Sequence, residues 1–371
     1  MKFTKTSAAL AIAMAFGSTA ALADTATITQ YNYGNDAYTA QNDNLGATAT
    51  TTQNGVGNKT GSSQGNGYGG IQQSNSIDVS ATVGQYGSNN DAGIVQQYVG
   101  GSSASVTQHN DNNFARVRQS GLSVDVHAKV LQIGTANEAH VEQTAVSIDS
   151  NVSVTQNGAH NYANTLQSFA KDSDATVTQY GYANDARVTQ LNGRDLSAEI
   201  FQNGNNNYAN ASQTGRDQTA KVTQIGGSNR TEVTQSGSGQ FAKVYQDGNS
   251  NGAVVAQSNT GNDAIVNQFG SNNKADVLQS GTYNNANVTQ YGYYQDAIVR
   301  QTGSYSDADI TQSGSYDKAF VSQSGGNHRA TVTQHGTGYG TNTATVAQSQ
   351  YNNIATIYQN GSANRAGIQQ R

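Results

Sequence analysis

The sequence predicts an all-β fold: a parallel two-sheet β-solenoid of about 15 strand-arc-strand coils, each about 22 residues long. Three observations predict it. Gln recurs every 11 residues over long stretches. A period-two alternation, Ala-x-Val-x-Gln, leads into most of these Gln residues. The composition favours stacked polar β-structure, with 41 Gly, no Pro, no Cys, no Trp and only 12% charged residues in 371. Gly, Asn, Gln, Ser, Thr and Tyr with so few charges do not fit the charge-rich class of disordered chain. A mean hydropathy of -0.63 does not fit one large apolar core.

The first 23 residues read differently. Lys2 and Lys5 precede the apolar run Ala8 to Phe16, and Ala21-Leu22-Ala23 ends it with small residues at the cleavage positions. This is the pattern of a secretory signal peptide over 1–23, leaving 24–371 as the repeat solenoid. The run is too short for a stable membrane span. Without those two lysines, 17 basic and 24 acidic residues remain, a net charge of -7. No basic stripe points to nucleic acid.

The beat is strictest from Gln213 through Gln224, Gln235, Gln246, Gln257, Gln268 and Gln279 to Gln334. Looser intervals run upstream through Gln202, Gln190, Gln179, Gln167, Gln156, Gln143 and Gln132 to Gln30. Counting from each Gln, Gly usually stands at +2, Ala at +7 and Val or Ile at +9. Period two makes this a strand with one buried face, so Ala186, Val188 and Gln190 are expected inside and Arg187 and Thr189 outside. The glycines Gly134, Gly158, Gly181, Gly204, Gly226, Gly248 and Gly270 mark the turns.

One strand cannot cover its own buried face, so two 11-residue units should close one coil. The pairing is visible in the sequence. Asn stands at +5 after alternate Gln residues, at Asn137, Asn161, Asn184, Asn207, Asn229, Asn251 and Asn273. The spacings alternate as well, 11 after Gln108 and Gln132 but 13 after Gln119 and Gln143. One arc is therefore fixed in length and the other accepts insertion. The stretch from Gln64 to Gln85 breaks phase.

A buried amide costs a few kcal/mol unless its donors and acceptors are paired. Parallel coils stack identical residues about 4.8 Å apart, so each Gln can bond the Gln above and below. The same is expected of Asn.

No catalytic set of acids, bases or nucleophiles stands out from the repeat, and no cofactor motif appears. The six His share no ligand spacing, so they are expected in solvent and no metal is expected.

The pattern Gln-x-Gly-x-x-Asn-x-Ala-x-x-x-Gln resembles the curlin repeat. It stands here as Gln179, Gly181, Asn184, Ala186, Gln190 and as Gln132, Gly134, Asn137, Ala139, Gln143. Ser173 and Ser150, six residues before Gln179 and Gln156, fit the same family pattern. The resemblance implies a secreted subunit of a bacterial surface amyloid fibre that serves adhesion and biofilm matrix. It also implies a nucleator subunit and a dedicated outer-membrane secretion channel as partners. The alternative is a monomeric secreted solenoid, such as an adhesin. Strand-like sequence at Ala26–Gln30 and Ala366–Gln370, with no cap visible beside it, is expected to leave open sheet edges and favours the fibre.

Overall fold

A computed structural model describes residues 23–60, 70–337 and 340–371. The signal-peptide reading falls on residues 1–23, of which 1–22 lie outside the described residues. Thirty strands follow one another among the described residues, from Thr25–Tyr31 to Arg365–Gln370, and no helix interrupts them. They make a β-solenoid of about 15 turns.

Within each unit, strands pair in parallel with the strands of their own sheet in the adjacent coils. Phe241–Asn249 lies on Asp263–Ser271 with Ala242 on Ala264, Val244 on Val266, Gln246 on Gln268 and Gly248 on Gly270. Arg230–Ser238 lies on Gly252–Thr260 in the other sheet with Val233 on Val255 and Gln235 on Gln257. The register never slips between like residues, because a one-residue shift would turn Ala, Val and Gln outward.

The interior between the sheets is thin. Ala186, Val188 and Gln190 are fully buried, whereas Arg187 is exposed and Thr189 half-buried. A few coils carry Thr in place of an inward aliphatic residue. Thr231 uses its hydroxyl, donating to Gln246 Oε1 at 2.9 Å. Thr51 and Thr165 stand in the Val position with buried Oγ1 atoms that have no partner. Thr165→Val keeps the shape and removes the orphaned hydroxyl. It should stabilise the fold by about 1 kcal/mol, read as a raised midpoint in chemical denaturation.

The chain divides into two compact units. Unit 1 comprises residues 1–182 and 188–194. Its second arc, the one reached from the Gln119 and Gln143 column, is wide. Parallel bridges link Gly100 to Val124 and Val124 to Ile148 within it. Ala47, Val79 and Val99 fill it, and serine hydroxyls tie successive coils, as Ser102 Oγ accepts Val126 N at 3.2 Å. Unit 2 comprises residues 183–187 and 195–371. From Gln202 to Gln334 its arcs are tight, with 11 residues from Gln to Gln, and Tyr208–Gly227 runs through one of them as a single element that pairs with both following strands. The arc expected to be fixed in length is not so throughout: Gln334 and Gln348 are 14 residues apart. The wide arc of unit 1 is the one that the alternating spacing marks as tolerant.

The phase break upstream of Gln85 is an interruption of one strand. Tyr38 N donates to Thr60 O and Ile71 N donates to Tyr38 O, both at 3.0 Å. Thr60 and Gly70 thus hold consecutive places beside Tyr38, with Ile71 in the Val position and Gln73 in the Gln position. The intervening 61–69 lie outside the described residues. Ser80–Ser88 then returns to phase, with Gln85 on Gln53.

Candidate functional site: the amide ladders

Gln side chains form two columns in each unit, one per sheet. In unit 2 one column runs Gln202, Gln224, Gln246, Gln268, Gln290, and every Nε2 donates to the Oε1 one coil later at 2.7–2.9 Å. The other runs Gln213, Gln235, Gln257, Gln279, Gln301 at 2.9 Å throughout. Unit 1 repeats the arrangement through Gln108, Gln132, Gln156 and Gln179, and through Gln119, Gln143, Gln167 and Gln190.

Most of these Nε2 atoms also reach across the sandwich to a carbonyl of the facing sheet, whereas Gln143 reaches Ser150 O in the following arc at 2.8 Å. Gln246 donates to Arg230 O at 3.1 Å and Gln257 to Phe241 O at 2.9 Å. Both amide protons and the carbonyl are thereby used, so these buried Gln residues do not leave the desolvated polar groups that would otherwise make burial costly.

The Asn column combines an amide stack with backbone clamps: Nδ2 of Asn113, Asn137, Asn161 and Asn207 donates to the Asn Oδ1 one coil before at 3.0–3.1 Å. Asn229 Oδ1 accepts the backbone N–H of Asn251 at 3.0 Å, while its Nδ2 donates to Gly248 O at 2.9 Å. Asn251 repeats this with Asn273 N and Gly270 O, and Asn207 with Asn229 N and Gly226 O. Asn184, Asn137 and Asn161 reach Gly204, Gly158 and Gly181 in the same way. Each Asn therefore clamps two backbone groups of the following coil.

The glycines sit at strand ends, with positive φ from 104 to 134° at Gly134, Gly158, Gly181, Gly204, Gly226, Gly248 and Gly270. A Cβ on Gly248 would lie 1.8 Å from Gly270 O. The chain reverses two residues later, at +4, in a left-handed residue that sequence reading missed: Ala136, His160, Ala183, Asn206, Ser228, Ser250 and Asn272. Glycine enrichment could not flag it, because most of these positions are not glycine. A backbone bond to the coil before holds them, as Ser228 N donates to Asn205 O at 2.9 Å.

The expectation that all six His face solvent is corrected at His328, which is 1% exposed. It occupies the +5 position after Gln323 and does the work of Asn there. Its Nε2 pairs with Ser324 O at 2.9 Å and its Nδ1 faces Asn353 N at 3.4 Å.

Asp317 is a second substitution in the Asn column. It is 0% exposed, and its Oδ1 accepts Asn342 Nδ2 at 2.8 Å. Its Oδ2 has no partner, nor has Oε1 of Gln295 at the same position one coil before. Burial raises the Asp317 pKa above its usual 3.8, against the lowering pull of the Asn342 and Gly336 hydrogen bonds and of His335. The stability that this group contributes in neutral form is complete below the unfolded value and is lost as pH rises through the raised folded value. Thermal midpoints should fall over that window. Asp317→Asn should remove this part of the slope and raise the midpoint at neutral pH, leaving the slopes due to Asp91 and Asp263, also raised by burial.

Among the described residues no three His, Cys, Asp or Glu side chains gather as metal ligands, and no helix is long and apolar enough to cross a membrane. What the geometry defines is a repeat protein whose organised chemistry is the pairing of one coil with the next. The curlin-associated repeat model matches seven segments, 148–181, 170–200 and 193–226 in one overlapping group and 259–292, 270–303, 284–314 and 303–336 in another. These seven repeats support assigning the chain to the curlin-repeat family. A comparison with curated proteins returned no match.

Proposed function

We propose that this chain is the structural subunit of an extracellular curli-type amyloid fibre, exported on residues 1–23 and polymerised through 24–371. The observation that carries the reading is the polarity of the ladders. One face of every coil offers Gln Nε2 donors and Asn amides. The opposite face offers what they bind: Gln Oε1, an Asn backbone N–H and a Gly carbonyl. Two faces that complement each other within a chain also complement each other between chains, and in-register strands of identical side chains are the contacts from which amyloid draws its stability. Copies add head to tail, all pointing one way.

The match to the curlin repeat supports self-assembly and a role without catalysis. Adhesion, biofilm matrix, a nucleator subunit and a dedicated outer-membrane channel are the parts of this proposal that come from the family alone.

Elongation of purified 24–371 from preformed seeds, followed by an amyloid dye, tests the reading. Pro at Ala366 and Ile368 removes backbone donors from the strand Arg365–Gln370 and should slow elongation sharply. The same substitution placed in an exposed turn away from the end strands should matter far less. A folded chain that stays monomeric at high concentration rejects the fibre and favours a monomeric adhesin.

A further inference from the structure

Two exposed tyrosine pairs in unit 2 stand ring on ring, one coil apart. Tyr294 and Tyr316 have ring centroids 5.2 Å apart and planes within 2° of parallel. Tyr283 and Tyr305 are 5.4 Å apart at 24°. The first pair lies in the arc that follows Gln290 and Gln312, the second in the arc that follows Gln279 and Gln301.

All four tyrosines occupy the left-handed +4 position, with φ of 55, 56, 56 and 62° for Tyr283, Tyr294, Tyr305 and Tyr316. Neighbouring coils place Gly239, Gly261, Ser250 or Asn272 there. Backbone preference favours such small residues and disfavours a bulky ring. The backbone is nonetheless fixed: Tyr294 N donates to Ser271 O at 3.1 Å, Tyr316 N to Tyr293 O at 3.0 Å, and Tyr283 N and Tyr305 N to Thr260 O and Thr282 O at 2.9 Å. The rings are therefore held in a pair while they remain 37–61% exposed.

We propose that Tyr283–Tyr305 and Tyr294–Tyr316 are sites of oxidative tyrosine cross-linking that staple successive coils covalently. The co-reactant is a peroxide used by a peroxidase, or an equivalent pair of one-electron oxidations. Each phenol loses one electron and its hydroxyl proton. The two radicals join through a carbon–carbon bond between positions ortho to the oxygens, and the ortho hydrogens move to the oxygens as the rings regain aromaticity. The net change is two hydrogens lost from the protein and one peroxide reduced to two waters. Prior stacking favours this coupling because the two radicals need not diffuse together. The inference does not rest on the fibre reading.

The test treats dilute, folded chain with hydrogen peroxide and a peroxidase. The chain is one part unlabelled and one part uniformly heavy-isotope labelled. Digestion after Lys274, Arg300 and Lys318 places Tyr283 and Tyr294 on one peptide and Tyr305 and Tyr316 on the next. The expected product joins these two peptides within one isotope class, lighter than their sum by two hydrogens for each link formed, with dityrosine emission. Tyr294→Phe should leave only the 283–305 link and Tyr283→Phe only the 294–316 link. The double variant should lose most of the emission. Phe keeps the ring stack, so circular dichroism should be unchanged. Links that mix heavy and light peptides, that fall equally on Tyr293 or Tyr351, or that survive the double variant would overturn the proposal.

Discussion

Gly248→Ala is expected to destabilise the fold by about 3 kcal/mol or more, among the largest effects available to a single methyl group. Two causes add. The position has φ of +134°, where an L side chain is strained, and the new Cβ would lie 1.8 Å from Gly270 O. That contact is with backbone, so relief requires the two coils to part locally. Parting them lengthens the Asn229 bond to Gly248 O and the Asn251 bond to Gly270 O together. The control is Gly252→Ala, where a Cβ meets nothing within 4 Å. Denaturant midpoints at constant m-value would read both.

Gln246→Ala should cost about 4 kcal/mol. The truncation leaves Gln224 Nε2, the Thr231 hydroxyl, Arg230 O and Gln268 Oε1 without the partner that Gln246 gave them. Orphaned buried polar groups cost about 1–3 kcal/mol each when nothing replaces the bond, and shared alternatives keep the sum below simple addition. Gln369→Ala, at an exposed position of its strand, should change stability by less than about 0.5 kcal/mol. The contrast separates the ladder from a general effect of removing glutamine.

Much of this architecture was readable because a solenoid writes each structural role once per repeat. The 11-residue beat located the strands, and the alternation in Ala186-Arg187-Val188-Thr189-Gln190 assigned the faces. The unequal spacings after Gln119 and Gln132 separated the wide arc from the fixed one. What was not readable has physical causes. The Asn side chain clamps backbone N–H and C=O groups of the next coil, and no pattern of side chains reveals a backbone partner. The left-handed +4 residue is set by tertiary hydrogen bonds, so Ala183 and Tyr294 adopt a conformation that their own preferences oppose. His328 looked like any polar turn residue, because an imidazole that imitates Asn needs its neighbours in place to do so. The stretch 64–85 hid an interrupted strand, since Thr60 and Gly70 become neighbours only when Tyr38 lies beside them.

The family match and the ladder geometry meet in one claim, that one copy continues the next as one coil continues another. Electron cryo-microscopy of fibres grown from residues 24–371 tests it most directly. The account predicts parallel strands about 4.8 Å apart along the fibre axis, with every copy pointing the same way. The Gln and Asn columns should run through each junction between copies without a break. Fibres in which copies meet side by side, or alternate in direction so that Nε2 donors face donors at the junction, would contradict it.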